Sequence, residues 1–201
     1  GYNKRPTCAS RLRWWDLGEN RFITLSKRFV DDNFSYFYNY SNFFVGDTFF
    51  IINLNLELHL NLVHYLNSTF CSLLTELIGR KNMGEGVLLM YGPEINSLLI
   101  ANEKIIQKTI LNSEGFIKRR QKSIFEELGF QKCNQKNCKH PEHPYEYVKP
   151  EEVSFDRIMP DRRELDKIIF EALGLTEEEQ LEVYRAVLEL VKNRLLKAKS
   201  R

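Results

Sequence analysis

The sequence predicts an α+β fold: a mixed β-sheet domain that includes one long helix, followed by a C-terminal helical hairpin. Residues 21–54 are crowded with Phe, Tyr, Val, Ile and Thr and cut by turn residues, the composition of short strands. Residues 57–78 repeat apolar side chains at helical spacing, and residues 160–201 hold two further repeats of that kind around a glycine turn.

The first strands are expected in "RFITLSKRFV" and "FSYFYNYSNFFVGDTFFIINL", separated by Asp31-Asp32-Asn33 and broken by Asn39-Tyr40-Ser41-Asn42 and Gly46-Asp47. In "ELHLNLVHYLNSTFCSLLTELI", Leu58, Leu62, Tyr65, Leu66, Phe70, Leu73, Leu74 and Leu77 line one wide face, which predicts a single helix closed by Gly79. The segment "RKNMGEGVLLMYGPEINSLLIAN" reads as a glycine-broken loop and one or two short strands, followed by short helices in "EKIIQKTILN" and "KRRQKSIFEELGF". Residues 131–160 hold four of the six prolines and little periodicity, and are expected to be a loop or linker.

The terminal pair is the clearest. Leu165, Ile168, Ile169, Ala172 and Leu173 share a face behind an expected capping box of Asp161 and Glu164, with Gly174 as the stop. Thr176 and Glu179 form the next expected box, ahead of a face made by Leu181, Tyr184, Val187, Leu188, Val191 and Leu195. The expected division is therefore 1–130, a linker over 131–160, and a hairpin over 161–201.

With 201 residues and 43% hydrophobic content, the chain can bury one ordinary core. No apolar run approaches the roughly 18 residues that cross a bilayer, so no membrane partner is expected. Four cysteines in this length do not make a disulfide scaffold, and the reading is a cytoplasmic, reducing setting. The start "GYNKRPTCAS" reads as a cut or tagged fragment. The net charge of +2 is small but uneven: Lys4, Arg5, Arg11, Arg13, Arg21, Lys27 and Arg28 face only Asp16 and Glu19 in the first thirty residues.

Four motifs bear on chemistry. In "RPTCASRLRWWDLG", Arg5, Arg11 and Arg13 alternate with Trp14 and Trp15, the interleaving of cations and stacking surfaces that nucleic-acid readers use; a core Trp beside solvated arginines is the bland alternative. Arg80, Lys81, Gly84 and Gly86 could lie against a DNA backbone or simply form a turn. Cys133-x4-Cys138-x-His140-x2-His143 carries four zinc-type ligands on an irregular loop. A closed structural zinc site and a polar loop both remain open there. His59 and His64, five apart, lie about 140° apart around a helix and read as ordinary core or surface residues, as Cys71 and Cys8 do. No Ser/His/Asp grouping, Walker loop or HExxH motif is present, so the chain reads as a binder.

Several of these stretches together resemble one family. "YLNSTFCSLLTELIGRKNMGEGVLLMYGPEINSLLI" is similar to the helix, glycine loop and final strand that end the target-recognition domains of adenine-N6 DNA methyltransferases of the restriction-modification type. "RPTCASRLRWWDLG", "KRFVDDNFSYFYN" with Gly46-Asp47, and the terminal "PDRRELDKIIFEALGLTEEEQLEVYRAVLELVKNRLLKAKSR" resemble its flanks and early strands. The resemblance implies a prokaryotic enzyme that moves a methyl group from S-adenosylmethionine to a flipped adenine. The family's Asn/Asp-Pro-Pro-aromatic catalytic motif and its glycine-rich cofactor motif are missing, since no two prolines are adjacent. The chain is accordingly expected to be the non-catalytic, C-terminal DNA-reading part of a site-specific methyltransferase. Double-stranded DNA and the catalytic domain of the same parent chain would be its partners, and Arg5, Arg11, Arg13, Trp14, Trp15, Arg28, Arg80, Lys81, Gly84 and Gly86 its contact residues. The alternative is a protein-interaction module that docks a partner subunit through the terminal helices.

Overall fold

The computed structural model describes residues 4–11, 13, 23–41, 43–52, 58–81, 86–109, 119–130 and 147–199. It is an α+β protein with a C-terminal helical hairpin. A short helix, α1 (Pro6–Ala9), precedes a three-stranded sheet in the order β3-β1-β4, made of β1 (Thr24–Lys27), β3 (Tyr36–Tyr38) and β4 (Phe49–Ile52). A second sheet pairs β2 (Phe29–Val30) with β5 (Leu88–Leu89). Every described pairing is antiparallel, where a mixed sheet was expected. None of these pairs joins strands that are consecutive in the chain, so the direction of each is set by long-range packing rather than by a tight turn.

Only Arg28 separates β1 from β2. Its N–H donates to the Thr48 carbonyl at 2.9 Å and its carbonyl accepts from Met90 N–H at 2.9 Å, so one continuous chain serves both sheets.

The long helix expected over 57–78 is two helices, α2 (His59–Leu66) and α3 (Thr69–Ile78). Ser68 sits between them in an extended conformation and its hydroxyl accepts from Cys71 N–H at 3.2 Å, an N-cap in mid-pattern. Asn67 uses its amide as a strand would: Nδ2 donates to the Tyr36 carbonyl at 2.9 Å and Oδ1 accepts from Tyr36 N–H at 3.1 Å. The break lets the helix pair close the edge of β3. Gly79 does end α3, though with φ −63° rather than in the left-handed region. Its need for glycine is space, because a Cβ there would lie 2.9 Å from the Thr75 carbonyl and 3.1 Å from Leu88 Cβ.

After β5 come α4 (Gly92–Asn96), α5 (Glu103–Lys108) and α6 (Ile124–Glu127). The last is a single turn held by a Ser123/Glu126 capping box and ended by Gly129. There φ is +91°, and a Cβ would come within 2.4 Å of the Arg157 carbonyl. The described second half of the expected linker is core-forming: Val148, Val153 and Ile158 are buried around a 3-10 turn at Pro150–Glu152.

The hairpin consists of α7 (Pro160–Ala172) and α8 (Glu177–Lys199). The Thr176/Glu179 box forms, with Glu179 N–H donating to Thr176 Oγ1 at 3.3 Å and Thr176 Oγ1 donating back to the carboxylate at 2.8 Å. The expected Asp161/Glu164 box does not form. Pro160 occupies the first helical turn with Met159 as N-cap, which moves Asp161 inside the helix, and its carboxylate instead takes Arg119.

Two apolar clusters form the core. One unites β2, β5 and α6 with Phe170, Tyr184, Val187, Leu188 and Val191 of the hairpin. The other joins Tyr36 and Ile52 of the three-stranded sheet to α2, α3, α5 and to Leu165 and Ile169 of α7. The expected division at 161 thus cuts the sequence but not the packing, because α7 inserts into both clusters.

Candidate nucleic-acid interface

The described residues bring together two stretches that lie far apart in the chain. Arg28, at the junction of the sheets, lays its guanidinium 4.6 Å from the centre of the Tyr91 ring. Arg80 lies 5.6 Å from the same ring. Both arginines are placed by backbone pairing, since Leu89 is the partner of Phe29 on one side and of Arg80 on the other. Tyr91 is fixed by an edge-on contact with Phe50 of β4 at 6.4 Å. Cations over an aromatic face are attracted by its quadrupole, by about 0.5–1 kcal/mol at exposed sites.

The acids around this cluster orient it. Glu94 accepts from Arg80 Nε at 2.5 Å and from Tyr91 N–H at 3.1 Å. Burial would raise its carboxyl, but those bonds hold it below the ordinary range. Lys81 Nζ lies 3.4 Å from Glu76, whose carboxylate is fully buried. Arg28 has no carboxylate among its described contacts. Its Nη1 reaches only the Asp47 carbonyl, at 3.4 Å, and its buried Nε has no hydrogen-bond acceptor among the described residues. The side chains of Arg80 and Lys81 are each close to half exposed. Arg80 and Lys81 therefore present guanidinium and ammonium groups to solvent beside an aromatic ring, an arrangement suited to phosphate oxygens.

Of the residues expected from sequence, Arg28, Arg80 and Lys81 stand in this cluster. Gly86 is buried instead: φ is +73°, a Cβ would meet Ala198 Cβ at 3.1 Å and Leu195 Cδ2 at 3.2 Å, and its carbonyl accepts from Arg194. Arg5, Arg11 and Arg13 are exposed around α1. Trp14, Trp15, Gly84 and the proposed zinc ligands Cys133, Cys138, His140 and His143 lie outside the described residues. Among the described residues, no group of three or more His, Cys, Asp or Glu side chains could hold a metal ion. Tyr91, Glu94 and Arg194 were not singled out from sequence. Tyr91 precedes a Gly92-Pro93 helix start, and nothing in its local pattern marks it as a platform for two distant arginines.

The remaining polar clusters are internal. Arg119 makes a bidentate pair with Glu127 at 2.7 Å, and Arg162 joins the same carboxylate at 3.2 Å. Asp166 accepts from Thr69 N–H at 2.7 Å and from Thr69 Oγ1 at 2.6 Å. Burial raises the Asp166 carboxyl. These groups fasten α7 to α3 and α6, with their oxygens engaged by the protein. His64 is buried, and burial lowers its pKa; His59 Nδ1 meets Thr24 Oγ1 at 3.2 Å. Cys71 is a buried thiol pushed up to about 12.

No protein-family model matches the chain, and no match was found among curated proteins or solved structures. No helix among the described residues is long and apolar enough to cross a membrane.

Proposed function

We propose that this chain is the DNA-binding, sequence-recognition part of an adenine-N6 DNA methyltransferase of the restriction-modification type. In this reading the S-adenosylmethionine site and the catalytic motif belong to another domain of the same parent chain, which forms the second wall of the DNA cleft. The observation that carries it is the convergence of the Arg28 and Arg80 guanidinium groups on the Tyr91 ring, with the half-exposed Lys81 next to Arg80 in the chain. Phosphate contacts from such cations fix a protein on a duplex, while base edges are read by side chains beside them. Arg5, Arg11, Arg13, Trp14, Trp15 and Gly84 are further proposed contacts. A structural zinc at Cys133, Cys138, His140 and His143 completes the proposal.

Docking through the terminal helices has less support. Tyr184, Val187, Leu188 and Val191 are fully buried in the protein's own core, so they offer a partner no apolar face. The test of the DNA reading is affinity for a random-sequence duplex across a salt series, measured for the chain, for Arg11→Ala/Arg13→Ala and for Arg28→Ala/Arg80→Ala. Phosphate contacts give a steep salt dependence, and helix docking does not.

A further inference from the structure

The cationic cluster is anchored from an unexpected place. Arg194, near the end of α8, is buried, and its guanidinium joins three separate segments. Nε lies 3.0 Å from both oxygens of Glu76, Nη2 donates to the Asp31 carbonyl at 2.9 Å, and Nη1 donates to the Gly86 carbonyl. Glu76 in turn meets Lys81. Lys81 is thus tied to Arg194 through Glu76, and Gly86 directly. Asp31 follows the strand that begins beside Arg28, so the same side chain also holds the second arm of the cluster.

Packing alone does not require an arginine here. A buried ion pair is weak evidence for stability, and apolar residues of similar volume often serve as well. What an apolar pair cannot do is bond two backbone carbonyls from different segments while holding a carboxylate, which needs the planar five-donor fork. Gly86 shows how closely the parts are fitted, since its left-handed backbone packs against Leu195 and Ala198, neighbours of Arg194 on α8.

We propose that Arg194 is a positioning residue for the DNA-contacting cluster, holding α3 ahead of Arg80, the Gly86 backbone and the Asp31 end of the Arg28 strand in the arrangement that presents Arg28, Arg80 and Lys81 to phosphates. This rests on the DNA-binding reading, and makes the terminal hairpin a brace for the surface rather than an appendage.

The test is a double-mutant cycle on binding to a random-sequence duplex, with folding followed by circular dichroism. Arg194→Lys keeps the charge but cannot reach all three acceptors. Glu76→Leu/Arg194→Met keeps the volume and leaves the net charge unchanged, and guards against a variant that fails to fold. Each is expected to fold and to bind on the order of tenfold more weakly, within the range by which residues outside a site modulate it. Adding Arg80→Ala to Arg194→Lys should then cost much less than Arg80→Ala costs in the native chain, because the two act as a unit. A purely structural role predicts independent, additive losses among folded molecules, and that result overturns the proposal. So does native affinity in the folded Glu76→Leu/Arg194→Met variant. If Arg80→Ala weakens binding and the Arg194 variants do not, only the positioning role falls; if Arg80→Ala has no effect, the DNA reading falls and takes this role with it.

Discussion

Asn67 shows how much one side chain can decide. Its amide exchanges two hydrogen bonds with the Tyr36 backbone, donates a third to the Val63 carbonyl at 2.8 Å, and accepts from Gln121 Nε2 at 2.8 Å. Asn67→Ala strands the buried Tyr36 groups and should destabilise the protein by about 1–3 kcal/mol for the unpaired polar atoms, read as a fall in the denaturant midpoint. An unchanged midpoint would mean that water replaces the amide without loss. Glu127 gives a pH signature. Burial opposes its charge, but Arg119 and Arg162 hold the carboxyl below its ordinary value of 4.5. A carboxyl depressed in the folded state binds fewer protons folded than unfolded, so its contribution is complete above about 4.5 and is lost as pH falls through the folded value. Glu127→Gln should lower stability at neutral pH and flatten the acid limb of the stability curve; a variant whose acid limb matches the native one would contradict this.

At the scale of elements, the sequence is most legible where period and caps agree. The Thr176/Glu179 box and the buried stripe Tyr184, Val187, Leu188 and Val191 stand where spacing puts them. The α2–α3 break was harder to read because the apolar period runs through it, leaving only Asn67-Ser68-Thr69 as capping material. Register could not be read at all: the placement of Arg80 beside Arg28 depends on β5 pairing with both Phe29 and Arg80, a long-range choice that local pattern does not encode. Proline density hid Val148, Val153 and Ile158, isolated apolar residues without a period that are nonetheless buried. The Cys/His loop yields an element-scale prediction. Protein purified without added metal should carry close to one equivalent of zinc, and Cys133→Ser should remove it. Elemental analysis showing less than about a tenth of an equivalent would leave a polar loop.

For the whole molecule, the hairpin and the sheets share their cores, and the cationic surface stands on that shared interior. Arg194 connects α8, α3 and the Gly86 backbone, which is why cluster geometry and terminal packing are expected to vary together. The proposed function makes the cationic cluster around Tyr91 a contact surface for double-stranded DNA. The most direct test is the salt slope of duplex binding. The native chain should lose affinity steeply with salt, and Arg28→Ala/Arg80→Ala should flatten the log–log slope by roughly 0.9 for each phosphate contact removed, close to two in total. Equal affinity and equal slope for the native and double-alanine proteins at low salt would contradict the account.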